Sequence, residues 1–130
     1  TNVRWRERFD FALRKQGVRE HAFPSIVAGG VRATTLHYKE NNQEVKDGEL
    51  VLIDLGSANE HYCADISRTF PVNGKFTARQ KEIYDLVLSA QDLIIEKAAP
   101  GMTLRELNQM VIDHTQQDLM NLDLQKMERQ

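Results

Sequence analysis

The sequence predicts an α+β fold in which an antiparallel β-hairpin sheet packs against helices. Two strand-like runs, Leu50–Leu55 and Tyr62–Phe70, lie on either side of a short polar break at Ser57–Glu60, as the arms of a hairpin do. Segments with helical periodicity stand on both sides of that pair, at Val3–Gln16 and from Thr77 onward. The 41% hydrophobic content supplies a core for one domain of 130 residues, too few for two.

Taken in order, Val3–Gln16 is an amphipathic helix with Trp5, Phe9, Ala12 and Leu13 at helical spacing, and Trp5 and Phe9 read as core anchors. Gly17 ends it through a left-handed turn. Phe23–Val31 is a short strand running into a turn at Gly29-Gly30, with Pro24 suited to a strand edge. The polar stretch that follows, which includes His37, is irregular, and Lys46-Asp47-Gly48 is a turn. After the hairpin, Pro71, Asn73 and Gly74 close the second strand. Thr77 and Gln80 form a capping-box pattern opening a long helix through about Ala98, with Ile83, Val87, Ala90, Ile94 and Ala98 as its buried stripe. Pro100-Gly101 breaks that helix. Thr103 and Glu106 repeat the capping signal, and Leu104, Leu107, Val111 and His114 line the next helix. From Asp118 to Gln130 apolar residues persist (Leu119, Leu122, Met127) without a strong period.

Composition narrows the function classes. The net charge is −2 with Lys and Arg dispersed, so neither a nucleic-acid stripe nor a polybasic membrane anchor is expected. No run of about 18 apolar residues is present to span a bilayer. A single cysteine, Cys63, forms no internal disulfide and no Cys-x-x-Cys zinc signature, and a cytoplasmic setting is the expectation.

The chemistry concentrates in the hairpin. A turn centred on Asn59-Glu60 makes Asp54 and Asp65 direct cross-strand partners. One face then carries Leu52, Asp54, Gly56, Cys63, Asp65 and Ser67. The other carries Val51, Ile53, Leu55, Ala64, Ile66 and Phe70, and is the expected core face. Directly opposed carboxylates, roughly 5 Å apart at Cβ, repel unless a proton or cation lies between them. A divalent ion that takes oxygen ligands answers that problem. An Asp pair at this spacing is commonly just surface charge, but here each Asp sits within an apolar strand, where an unpaired carboxylate is costly. Spacing alone does not lift His37 above His21, His61 or His114, of which the first two are expected to be exposed and the third to lie on or beside a helix's apolar stripe.

The elements SIVAGG, TLHY, KDGELVLIDLG, ADISRTFPVNGKFT and EIYDLVL, in this order and spacing, resemble the first half of the catalytic domain of the Xaa-Pro aminopeptidases (aminopeptidase P), metallopeptidases of the pita-bread fold shared with prolidase, creatinase and methionine aminopeptidase. The resemblance runs from about Trp5 to at least Leu107. It implies a dinuclear divalent-metal site, most often manganese, with cobalt or zinc as alternatives. Asp54 matches the ligand of one ion and Asp65 the carboxylate bridging both. His37, 17 residues before Asp54, matches a histidine that is not a ligand but binds substrate and stabilises developing charge. Ser67 falls where a small hydroxyl supports the metal shell. Phe23 falls where some relatives place a pocket tyrosine, so only an apolar wall carries over. The implied substrate is a peptide with proline at its second position.

The family's other ligands, one histidine and two glutamates, lie downstream in a second, pseudo-symmetric half, and neither His114 nor Glu128 stands in a matching context. The expectation is therefore a truncated N-terminal half of the catalytic domain over residues 1–130, inactive alone, with metal loose or missing. An exposed sheet edge or apolar face would favour a homo-oligomer in which a second copy replaces the absent half; light scattering from a dilution-resistant monomer counts against it. Two alternatives stay open at this point. One is a prolidase cutting dipeptides, which shares the aspartates; the other is a non-catalytic pita-bread module that binds peptides.

Overall fold

A computed structural model describes residues 2–121; Leu122, Met127 and Glu128 lie outside the described residues. The chain divides into two compact units, Thr1–Phe76 and Thr77–Gln130.

The first unit begins with helix α1 (Asn2–Lys15), which ends in a Schellman turn. Val18 N–H donates to the Leu13 carbonyl at 3.1 Å and Gly17 N–H to that of Arg14 at 3.0 Å. The turn requires the left-handed backbone that Gly17 adopts, φ +81. Trp5 packs edge-on against Phe70, ring centroids 5.5 Å apart, and Phe9 packs against His21. The aromatic stripe therefore anchors α1 as expected, although Trp5 stays partly exposed.

Six strands follow among the described residues: β1 (Glu20–His21), β2 (Ile26–Gly29), β3 (Leu50–Leu55), β4 (Ser57–Asn59), β5 (Tyr62–Cys63) and β6 (Ile66–Pro71). They form two antiparallel sheets, ordered β2-β3-β6 and β1-β4-β5. A 3-10 turn at Gly30–Thr34 sits in the stretch expected to be irregular, and β1 had no sequence signal. The second sheet continues the first, because β3–β4 and β5–β6 are the two arms of one long hairpin. The expected polar break at 57–60 is mostly strand. The arms join through Glu60 and His61, both with positive φ (48 and 69), the mirror-image two-residue turn that matches strand twist.

That turn corrects the expected register. Its centre lies one residue later than Asn59-Glu60, so each partner moves by two. Asp54 stands opposite Ser67, not Asp65, and Ala58 stands opposite Cys63. A two-residue shift preserves the side-chain face, so the assignment of residues to faces survives.

The strand alongside this arm also bulges. Glu20 faces Ala58 and Ile26 faces Asp54, so six steps along one strand match four along the other. The surplus falls at Phe23–Ser25, where Pro24 has no N–H to lose from the ladder. Beside the bulge, Gly56 is buried. An added Cβ there would overlap the Ala64 carbonyl oxygen and come within 2.5 Å of Phe23 Cε1. Only glycine lets ring and backbone approach this closely.

The core straddles the sheet. Val27 and Val51 are fully buried, and each such side chain contributes about 2 kcal/mol. Ile26, Ala28 and Tyr38 form a buried cluster with Leu52 and Ala33 against it. Leu52 lies on the aspartate face, so that face is also part of the core. The opposite face is not fully closed: Ile66 is 51% exposed, and a groove of about 290 Å³ runs between Phe9, Ile53, Leu55, Ile66 and Phe70.

The second unit is a helical hairpin of α2 (Ala78–Lys97) and α3 (Leu104–Asn121). Both capping boxes form. Gln80 N–H donates to Thr77 Oγ1 at 3.2 Å and Thr77 N–H to Gln80 Oε1 at 2.9 Å, and Thr103 and Glu106 repeat the exchange. The buried stripe of α2 runs through Ile83, Leu86, Ala90 and Ile94. Val87 and Ala98, expected inside, are exposed, as is Leu104 on α3. The stripe keeps Ile83, Ala90 and Ile94 and takes Leu86 in place of Val87, which a tract apolar at Leu86, Val87 and Leu88 allows. Ser89 and His114 join the helices at 2.8 Å. Ser89 Oγ donates to the Leu86 carbonyl, so it accepts from His114 Nε2.

Candidate metal centre and substrate pocket

Asp54 lies near the end of the central strand β3, flanked by Ile26 on β2 and Ser67 on β6. Ser67 Oγ donates to Asp54 Oδ1 at 2.8 Å. This bond follows from the observed register, which makes the two residues direct partners on one face. Asp65 occupies the break between β5 and β6, two residues before Ser67 and on the same face. It is therefore diagonal to Asp54 rather than opposed, which relaxes the expected contact to about 7–8 Å between backbones.

The structure brings four of the five candidate residues to one place. An open pocket of about 320 Å³ is lined by Phe23, Pro24, Ile26, His37, Lys39, Asp54 and Asp65. Ser67, the fifth, reaches it through Asp54. His37 enters from the loop after the 3-10 turn with φ +53, a left-handed conformation uncommon outside glycine. Phe23 and Pro24 enter from the bulge. His21 and His61 are exposed, and His114 is half-buried beside Ser89 in the second unit; these three histidines do not belong to the pocket. His21 instead approaches Asp10 of α1 at 3.0 Å.

Sequence reasoning missed Lys39 and Asn41. Lys39 is a cationic side chain in the pocket lining, and its signal was its place two residues after His37. Asn41 is buried, with φ +48. Its carboxamide accepts from Val27 N–H at 2.7 Å and donates to the Ser25 carbonyl at 2.8 Å. No sequence pattern flags a loop asparagine that caps a strand edge fourteen residues away.

The donor set fits a divalent metal in kind. Both pocket acids offer hard oxygen donors, and one is already oriented by a hydroxyl. Among the described residues, no lysine, arginine or histidine forms an ion pair with Asp54 or Asp65, although Lys39 lines the same pocket. In number the set falls short: among the described residues, no group of three or more His, Cys, Asp or Glu is placed to hold an ion. Two carboxylates and a histidine in a half-apolar pocket can share a cation and hold a polar group beside it.

Two antiparallel sheets and a hairpin bearing two acids suit a metallopeptidase, and the chain belongs to metallopeptidase family M24, matched over residues 4–127. Among its relatives, Xaa-Pro aminopeptidase 3 of Mus musculus is 44% identical over 119 residues, covering 92% of this chain and 24% of the relative. The Xaa-Pro aminopeptidase of Haemophilus influenzae is 50% identical over 105 residues, covering 81% of this chain and 24% of the relative. Among solved structures, zinc-substituted Escherichia coli aminopeptidase P in complex with product superposes with a TM-score of 0.91 at 36% identity, covering 95% of this chain and 28% of that one. The fold is thus part of the aminopeptidase P pita-bread fold, and the chain spans about a quarter of the length of these relatives. No helix among the described residues is long and apolar enough to cross a membrane.

Proposed function

We propose that this chain contributes the Asp54–Asp65 portion of a two-metal peptidase site that hydrolyses the bond between an N-terminal residue and proline. The observation that carries the reading is the convergence of Asp54, Asp65 and His37 on one pocket with an apolar wall. The names of the relatives, Xaa-Pro aminopeptidases, favour this substrate over the dipeptides of a prolidase.

In this reading Asp54 and Asp65 would hold the divalent ions, with manganese favoured over cobalt or zinc. Bound there, such ions would supply polarisation of the scissile carbonyl and a lowered pKa for the attacking water. The chain's own residues do the positioning. Ser67 donates to Asp54 Oδ1 and so fixes the carboxylate that must present its remaining lone pairs. His37 donates a hydrogen bond to the substrate carbonyl as negative charge builds on its oxygen. Phe23, Pro24 and Ile26 form the apolar wall against which the peptide lies. With only two carboxylates placed, the remaining ligands and the general base belong to the second half of the fold, and the residues present here are inactive alone. The lone cysteine supports a cytoplasmic setting.

The test is cleavage of a tripeptide Xaa-Pro-Yaa by the full-length peptidase carrying this segment. Release of Xaa is the expected result. Cleavage confined to Xaa-Pro dipeptides would make the enzyme a prolidase, and hydrolysis by the 130-residue chain itself would refute the division of the site.

A further inference from the structure

We propose that Asn41 is a positioning residue for this site: its buried carboxamide ties the outer edge of β2 to the loop that carries His37. The proposal rests on the peptidase reading, in which His37 acts on substrate.

β2 is an edge strand. Its inner edge bonds β3, which leaves the groups on its outer edge in need of partners. Asn41 supplies a donor and an acceptor together, as a neighbouring strand's peptide would. Its Oδ1 receives Val27 N–H at 2.7 Å, and its Nδ2 donates to the Ser25 carbonyl at 2.8 Å. Of the side chains, only Asn and Gln carry both functions on one amide, and Asn tolerates the left-handed backbone found here, φ +48. At 6% exposure the amide is shielded from competing water.

The residue between its two partners is Ile26, which faces Asp54 directly across the sheet and lines the pocket. Asn41 therefore grips β2 at the step that faces the metal-ligand candidate. The same loop is held a second time at Tyr38, buried against Ile26 and Ala28. Two left-handed residues, His37 and Asn41, bracket the three residues between them. With Tyr38 seated on the face of β2 and Asn41 on its edge, His37 and Lys39 are left to line the pocket. The strain at His37 is retained because these two anchors over-determine the loop.

The test is a double-mutant cycle on kcat for Xaa-Pro-Yaa hydrolysis by the metal-loaded full-length enzyme, using Asn41→Ala, His37→Ala and the pair. Loss of a loop anchor misplaces a reacting group by a fraction of an ångström, so Asn41→Ala is expected to lower kcat about tenfold alone and less than about twofold in the His37→Ala background. Asn41→Asp keeps the acceptor for Val27 N–H and the left-handed preference but sets a carboxylate oxygen against the Ser25 carbonyl where the donor stood. It should show the same non-additivity, and it serves if the alanine variant does not fold. In the 130-residue chain, the His37 imidazole proton resonances should move in Asn41→Asp while those of His114 stay in place. Additive losses, wild-type kcat in Asn41→Ala, or an unmoved His37 spectrum each overturn the proposal while leaving the peptidase reading intact. A silent His37→Ala overturns both the role of His37 and this proposal.

Discussion

Gly56→Ala links fold and site most directly, because the sign of its effect is diagnostic. In a strand with ordinary φ, Gly→Ala stabilises by about 0.4–1 kcal/mol, since alanine has less conformational freedom to lose on folding. At Gly56 the added methyl would overlap the Ala64 carbonyl oxygen and stand 2.5 Å from Phe23 Cε1. One obstacle is backbone, so rotation of a side chain cannot relieve it; the hairpin must open between Gly56 and Ala64. Overpacking of this kind costs roughly 1–3 kcal/mol, enough to exceed the entropic gain, and a net loss of about 2 kcal/mol is expected. For the first unit, of residues 1–76, that is a fall in Tm of about 10 °C. The assay is thermal unfolding followed by circular dichroism. The site should suffer too, because Asp65 follows Ala64 and would move away from Asp54. An unchanged or raised Tm would refute the close approach and, with it, the account of how the Phe23 wall and the Asp65 break are built.

Two further outcomes are expected. Titration calorimetry of Mn²⁺ into the chain should show weak binding that is lost in Asp65→Asn and weakened about tenfold in Ser67→Ala, which removes the hydroxyl orienting Asp54; identical heats for wild type and Asp65→Asn would sink the metal assignment. On α3, the Thr103 backbone N–H and then its hydroxyl hold the Glu106 carboxyl below its ordinary range. A folded-state pKa below the unfolded one means the cap's contribution is fully present above the unfolded value and is lost as pH falls through the folded value. Helicity should therefore decline with acid in wild type and less so in Glu106→Gln, which can keep the bond without titrating; equal acid sensitivity in both would contradict this.

Much of this molecule could be read before its structure. Local chemistry settled the helix ends: Thr77 with Gln80, Thr103 with Glu106, and Gly17 act within a few residues, so their signals are complete in sequence. The strand pair, its two faces and the acids on one of them were also legible, because strand side chains alternate with a period of two. The motif order around His37, Asp54, Asp65 and Ser67 pointed to the peptidase family that the comparisons establish.

What the sequence could not decide were distances of one or two residues that depend on contacts far along the chain. The turn centre moved to Glu60-His61, because a tight hairpin needs two adjacent residues in a left-handed conformation and neither residue type advertises it. That step placed Ser67, rather than Asp65, opposite Asp54. The buried stripe of α2 passed through Leu86 rather than Val87, since packing chose between adjacent apolar residues. The role of Asn41 and the Phe23–Ser25 bulge existed only once β2 had, among the described residues, a strand neighbour on one edge and none on the other. Sequence alone determined which residues are the candidates for the chemistry, through local pattern and motif. Tertiary structure decided which of them meet, because a pocket is a set of long-range contacts.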